Sequence, residues 1–177
     1  MSKIVELGKL TISILLIVLI LVFRKPILAM IKQFNTNMPK SVRNNNPGNI
    51  RNSESNRWIG EVPSTLRKDK EFEVFTTMEY GARAMIKLLR NYMHGKVFDK
   101  VKYNTLETII FRWAPPHEND TAAYVREVQS LTGWKAGEKL EDDRETLITL
   151  AWAMAQVEGA KHPSLTKDVF ERGYALL

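Results

Sequence analysis

The sequence predicts a mainly α-helical protein of the α+β class, in which an N-terminal transmembrane helix precedes one helical domain with a small β-element. Three observations support this. An apolar run lies near the N-terminus, apolar residues recur at helical spacing over residues 76–172, and the stretch between is rich in turn residues. We expect an anchor over 1–25, a linker or interfacial segment over 26–41 and one domain over 42–177.

The composition limits the kinds of site that the chain can form. Its 177 residues include no cysteine and only three histidines, which lie far apart, so a disulfide framework is excluded and a zinc site is not expected. The net charge is +6, but residues 1–41 hold six basic residues and one acidic residue, and the remainder holds 20 basic and 19 acidic residues. The folded part is nearly neutral, which gives little support for nucleic-acid binding.

The apolar run extends from Thr11 to Phe23, and counting back to Ile4 gives 20 residues, about the length that spans a bilayer core. A cleaved signal peptide is the competing interpretation, but Arg24 and Lys25 follow at once and no A-x-A cleavage site is present. We therefore expect an uncleaved single-pass anchor. More basic residues follow the run than precede it, which places the domain on the cytoplasmic side by the positive-inside rule.

The rest of the chain reads as short turns followed by helices. Alternation over residues 71–76 predicts a short strand around Phe72 to Phe75. Thr76 and Glu79 have capping-box spacing and open a helix to about Tyr92. Further helices are expected from Thr105 to Pro115, from residues 119–121 to Gly133, from Asp142 to Gly159, and from Leu165 to Arg172.

Residues 43–51 read RNNNPGNIR, with four asparagines in nine residues. Asparagine tolerates left-handed backbone and Pro-Gly favours turns, so one interpretation is an ordered turn at the start of the domain. The other is a set of hydrogen-bonding amides that face a polar ligand such as a glycan. This stretch alone leaves both open.

One carboxylate interrupts an apolar helical face. Leu147, Ala151, Met154 and Glu158 follow at helical spacing, so Glu158 ends an apolar stripe at the negative end of the helix dipole. Burial and the dipole both disfavour the charged form, and a protonated glutamic acid is what a glycosidase needs as general acid. The alternative is that Glu158 reaches water or pairs with Lys161 or His162.

Other residues compete for a functional role. Glu118 and Asp120 precede a helix, where acidic residues commonly serve as N-caps. Trp58 and Trp113 lie beside polar loops, and aromatic faces stack on sugar rings, although core packing also explains a tryptophan.

Four motifs together resemble a group of small bacteriophage proteins that occur as virion structural proteins and as proteins assigned to peptidoglycan hydrolysis. They are RNNNPGNIR, the W-x-G of Trp58 to Gly60, FEVFTTMEYGARA from Phe72 to Ala84, and RWAPPHENDTAAYV from Arg112 to Val125. The likeness covers nearly all of residues 43–159. More remotely, the chain resembles lysozyme-like glucosaminidases and lytic transglycosylases, with the glutamate helix LAWAMAQVEG last instead of first. This implies a circularly permuted lysozyme-like fold in which Glu158 packs against RNNNPGNIR.

The resemblance implies a membrane-anchored enzyme that cleaves the glycan of peptidoglycan without a cofactor or metal. The implied catalytic residues are Glu158 with Glu118 or Asp120, and the implied substrate-binding residues are Asn45, Asn46, Asn49, Arg51, Trp58, Trp113 and Tyr124. The alternative is a non-catalytic virion membrane protein that uses the same groove for glycan binding or assembly. A third is a host inner-membrane protein with a cytoplasmic binding domain.

The expected location is single-pass, in an internal membrane of a virion or in the bacterial inner membrane. The expected partners are peptidoglycan strands, the lipid membrane through the N-terminal helix, and other virion proteins, with no nucleic acid.

Overall fold

The computed structural model describes residues 19–30, 33, 37–53 and 55–177. Its contacts divide the chain into two compact units, Met1–Met38 and Pro39–Leu177. In the first unit, residues 19–30 are helical.

The predicted membrane anchor needs a correction. Most of the apolar run, including residues 11–18, lies outside the described residues. Within the described ranges, no helix has both the length and the apolar character needed to cross a membrane. The predicted single-pass membrane location is contradicted by this finding.

The second unit is mainly helical, which confirms the predicted mainly α class. Its six described helices are α1 (Lys40–Arg43), α2 (Met78–Met93), α3 (Leu106–Trp113), α4 (Thr121–Thr132), α5 (Arg144–Glu158) and α6 (Lys167–Ala175).

Local side-chain chemistry sets the N-terminal ends of three helices, α3, α4 and α5. Thr105 and Thr108 form a reciprocal capping box at the start of α3, and Asp120 accepts a hydrogen bond from the backbone of Ala123 at the start of α4. Gly133, with φ of +77°, ends α4 in the left-handed conformation. The N-cap of α5 is Asp143 and not the predicted Asp142, since the Asp143 side chain accepts from Thr146 N.

The predicted strand over residues 71–76 is not formed in the described part of the chain. Phe72 pairs with Arg51 and Phe75 pairs with Glu61, each through an isolated antiparallel bridge. The partner segments are turn-rich, so neither follows residues 71–76 long enough to build a ladder.

The core lies where α2 and α5 meet their neighbours. Its largest fully buried side chains include Met85, Ile86, Leu89, Leu147, Ile148, Leu150, Met154 and Phe170. The helix α2 packs against α5 and α6, and α4 packs against α5.

The start of the second unit is fixed against the end of α5. Ser41 is fully buried, and its Oγ donates to the backbone oxygen of Glu158 at 3.3 Å. Gly81 of α2 lies so close to the asparagine segment that an added Cβ would be 1.9 Å from Asn45 O. Residues 43–51 are therefore held beside Glu158, at one end of the helical core.

Candidate functional site

A groove of about 950 Å³ lies in the second unit, on the side where the asparagine segment meets the end of α5. Its walls come from several segments that are far apart in sequence. The lining residues are Gly48, Asn49, Ile50, Arg51, Asn56, Trp58, Phe72, Leu88, Asn91, Tyr92, Lys96, Val97, Phe98, Arg112, Trp113, Ala114, Pro115, Glu118, Asn119 and Glu158.

The carboxyl group of Glu158 faces this groove and is held by three neutral donors. Asn49 Nδ2 donates to Glu158 Oε2 at 2.8 Å. Trp113 Nε1 and the Tyr124 hydroxyl donate to Oε1 at 3.3 and 3.1 Å. The expected contact between Glu158 and the RNNNPGNIR segment is thus present.

The interpretation in which Glu158 pairs with a nearby cation is wrong. Lys161 instead lies 2.6 Å from Glu127 Oε1, and the His162 ring hydrogen-bonds to Ser164. In the described structure, no cation lies within ion-pair distance of Glu158. Burial therefore raises the pKa of Glu158 above its ordinary value, although the hydrogen bonds from Asn49, Tyr124 and Trp113 oppose the shift.

The Tyr124 hydroxyl can accommodate a protonated Glu158. It lies 3.2 Å from Met154 O and 3.1 Å from Glu158 Oε1, but it has only one proton to donate. When Glu158 is neutral, its own O–H can donate to Tyr124, and the tyrosine proton is then free for Met154 O. Burial and the neighbouring Glu158 raise the pKa of Tyr124 well above its ordinary value, so the hydroxyl keeps its proton.

Asn49 combines an unusual backbone with an unused acceptor. Its φ is +46°, a left-handed conformation that asparagine tolerates. Its Oδ1 is buried, and no hydrogen-bond donor reaches it from the described residues. A buried acceptor without a donor is costly, and a protonated Glu158 can satisfy this atom after rotation of the Asn49 amide.

The other three asparagines of the segment build the loop. Asn44 Nδ2 donates to Asp69 at 2.8 Å, and Asn45 Nδ2 donates to Phe75 O at 3.1 Å. Asn46 is fully buried; its amide exchanges hydrogen bonds with the backbone of Ile50 and donates to Glu73 O. Asn45 and Asn46 do not line the groove, so the structure gives them a loop-building role in place of the predicted substrate contact.

The two other predicted carboxylates occupy different positions. Glu118 lines the groove rim and pairs with Arg51 at 2.8 Å, which lowers the pKa of Glu118. Asp120 does not line the groove, because its side chain caps α4 through Ala123 N. Arg51 also lies over the Phe72 ring at 5.5 Å.

Both predicted tryptophans line the groove. Trp113 packs edge-on against Tyr92, with ring centroids 6.1 Å apart, and its indole reaches Glu158. Trp58 Nε1 is buried without a hydrogen-bond partner among the described residues. Tyr124 does not line the groove but contacts Glu158 from the protein interior.

A buried ion cluster fixes the loop that carries Trp58. Arg67 and Glu73 are both buried and hydrogen-bonded to each other, and Arg67 Nη2 lies 3.6 Å from Glu61 Oε2. Glu61 in turn accepts a hydrogen bond from Trp58 N at 2.9 Å. The position of Trp58 thus depends on charges that lie outside the groove.

Several groove residues could not be found by sequence reasoning. Arg112 lies within the RWAPPHENDT motif, but nothing in its spacing marks it as groove-lining. Lys96 and Phe98 lie in the loop after α2, where there is no periodic pattern. The Phe98 side chain is fully exposed.

Fold and groove together define a small, mainly helical protein in which three uncharged donors hold one partly buried glutamate. No family model matches the chain. The chain is 37% identical over 139 residues to Protein P5 of Pseudoalteromonas phage PM2, an alignment that covers 76% of this chain and 79% of that protein. The chain belongs to the family of Protein P5, which confirms the phage part of the predicted resemblance. The lysozyme-like kinship stays a prediction.

Proposed function

We propose that this protein is a component of a phage particle that binds peptidoglycan glycan strands in its groove and cleaves them by acid catalysis at Glu158. The observation that supports this proposal best is the setting of the Glu158 carboxyl. It faces an open groove, its pKa is raised by burial, and all three of its partners are neutral. A raised pKa increases the fraction of a carboxylic acid that holds a proton to donate.

In this mechanism Glu158 gives its proton to the glycosidic oxygen as the bond from that oxygen to the anomeric carbon breaks. Asn49 orients the carboxyl group through the hydrogen bond from its Nδ2 to Glu158 Oε2. Trp58 and Trp113 offer aromatic surface to the sugar rings.

In the second step, either water or a hydroxyl of the substrate itself attacks the anomeric carbon. Glu118 stays charged because of Arg51 and lines the same groove, so it can stabilise the positive charge that develops on the sugar or activate water. Asp120 caps helix α4 and is not available as the second carboxylate. If Glu118 does not take part, the mechanism is that of a transglycosylase with a single catalytic acid.

The test compares the full chain with Glu158→Gln in turbidity and zymogram assays on purified peptidoglycan. Glutamine keeps the size of the side chain but has no proton to donate to the leaving oxygen, so we expect lysis to fall by about 10²-fold or more. Asp120→Asn is the matched control, because it removes a nearby carboxylate that does not line the groove. Circular dichroism checks that each variant is folded. Equal lysis by the wild type and Glu158→Gln would contradict the assignment of the acid.

A second candidate function is a non-catalytic structural component of the phage particle with a glycan-binding or assembly role. Family membership supports this candidate more directly than the enzyme, since the relative is a phage protein whose name states no activity. The three donors to Glu158 can also serve only to stabilise the end of α5. Cosedimentation of the full chain with peptidoglycan in the absence of any lysis would favour this candidate.

A further inference from the structure

A second cavity of about 390 Å³ adjoins the groove. The two share Asn91 and Lys96, so one wall of the groove is also a wall of this cavity. The remaining lining residues are Lys87, Arg90, His94, Asp142 and Leu177.

The cavity carries an excess of positive side-chain charge. Asp142 is its one lining side chain with a carboxylate, and that carboxylate already accepts from Arg90 Nε at 3.0 Å and lies 2.6 Å from His94 Nε2. Lys87 and Lys96 are exposed, and among the described residues no carboxylate lies within ion-pair distance of either. These two lysines are therefore available to an anionic ligand.

The backbone brings the basic side chains of the cavity together. Lys87, Arg90 and His94 follow at helical spacing on α2 and its C-cap, so they share one face. Lys96 lies three residues beyond the end of that helix, where the chain turns at Gly95, with φ of +64°. The basic face thus continues directly into the groove wall.

We propose that this basic cavity binds carboxylate groups of the peptide stems that branch from the glycan strand. The inference rests on the proposed function, because it requires a glycan strand in the neighbouring groove. Peptidoglycan carries a short acidic peptide on every second sugar, so a strand in the groove presents free carboxylates beside it. Lys96 and Asn91, which face both cavities, lie at the junction where a branch would leave the strand.

The substrate class follows from this geometry. The groove alone would accept any polymer of N-acetylated sugars, including a neutral one, but the lysines favour a polymer with acidic branches. An exposed ion pair contributes little, so the preference is expected to be modest, about five- to tenfold in Kd for the two lysines together.

The experiment measures binding to two soluble polymers, stem-bearing glycan strands and the same strands after an amidase has removed the peptides, which leaves only the lactyl carboxylate on each muramic acid. The full chain carries Glu158→Gln throughout, so that neither polymer is cut. Lys87→Gln with Lys96→Gln is compared with Lys68→Gln with Lys135→Gln, a control that removes the same charge from exposed lysines outside both cavities. Kd is measured by microscale thermophoresis at low and physiological salt.

We expect the parent to bind stem-bearing strands about five- to tenfold more tightly than bare strands. The Lys87 and Lys96 pair should lose that preference, measured as the ratio of the two Kd values because Lys96 also lines the groove, and the control pair should keep it. The preference should also weaken at higher salt. Equal affinity of the parent for both polymers, or an equal loss in the control pair, would overturn the inference and leave the glycan groove intact. Failure to bind either polymer would contradict the proposed function as well.

Discussion

The three glutamates Glu158, Glu73 and Glu118 show how one residue type takes different roles through its partners. Burial raises the pKa of Glu73, but its partner is the Arg67 guanidinium, which makes it part of a structural ion cluster. Arg51 lowers the pKa of the exposed Glu118. Glu158 alone among the three combines a raised pKa with exclusively neutral partners, and for that reason it is the acid in our proposal.

This setting gives a prediction for stability against pH. The folded-state pKa of Glu158 lies above the unfolded value, so its contribution is fully present below the unfolded pKa and is lost as the pH rises through the folded pKa. Glu158→Gln removes this loss, since its amide stays neutral and can donate to the unused Asn49 Oδ1 once the Asn49 amide rotates. Between pH 4 and pH 7 the variant should therefore gain stability relative to the wild type, by about 1.4 kcal/mol per unit of pKa shift.

Urea denaturation at both pH values measures the difference. Glu118→Gln serves as the control with the opposite sign, because the pKa of Glu118 is lower in the folded than in the unfolded protein. Glu118 therefore stabilises the fold at a pH above its unfolded-state pKa, and this stabilisation is lost as the pH falls through its folded-state pKa. A difference between wild type and Glu158→Gln that is constant over the range would show that Glu158 titrates normally.

At the scale of the elements, the groove depends on the close approach of the asparagine segment to α2. Gly81 permits that approach, since an added Cβ would be 1.9 Å from Asn45 O and 2.7 Å from Pro47 Cδ. The obstacle includes backbone, which cannot rotate away as a flexible side chain can. Gly81 is thus required for the packing of the asparagine segment against α2, and it does not mark an end of the helix.

Gly81→Ala should destabilise the protein by about 1–3 kcal/mol through overpacking, although alanine favours helix more than glycine does. It should also displace Asn49 from Glu158 and reduce lysis if the proposed enzyme is active. Gly137→Ala is the matched control, because an added Cβ there meets nothing within 4 Å. Chemical denaturation of both variants gives the comparison, and equal stability would contradict the role of Gly81.

The same scale shows what the sequence could predict. Helix positions followed from apolar spacing, and Gly133 and Gly159 marked two helix ends as expected. The sequence could not show which of the four asparagines stabilise the loop and which face the groove, because their roles depend on distant partners. These partners are Asp69 for Asn44, Phe75 for Asn45 and Glu158 for Asn49. The strand prediction failed for a related reason, since a strand needs a partner that its own alternation does not reveal.

For the whole molecule, the functional groove lies entirely within the unit Pro39–Leu177. That unit has its own core, and residues 39–46 contribute to it. Val42 is 7% exposed, Ser41 Oγ donates to Glu158 O, and Asn44 donates to Asp69. The first residues of the unit are thus part of the fold and not a linker, although the sequence placed the linker up to residue 41.

Two fragments test this boundary. Residues 39–177 should unfold in one cooperative transition with the melting temperature of the full chain's folded domain. Residues 45–177 lack the buried Val42 and the hydrogen bonds of Ser41 and Asn44. They should be less stable by about 3.5–5 kcal/mol, from roughly 1.5–3 kcal/mol for the apolar side chain and about 1 kcal/mol for each of the two hydrogen bonds. Differential scanning calorimetry of both fragments measures the difference. Equal melting temperatures would show that residues 39–44 do not contribute to the stability of the domain. Failure of residues 39–177 to fold would show that the unit requires residues before Pro39.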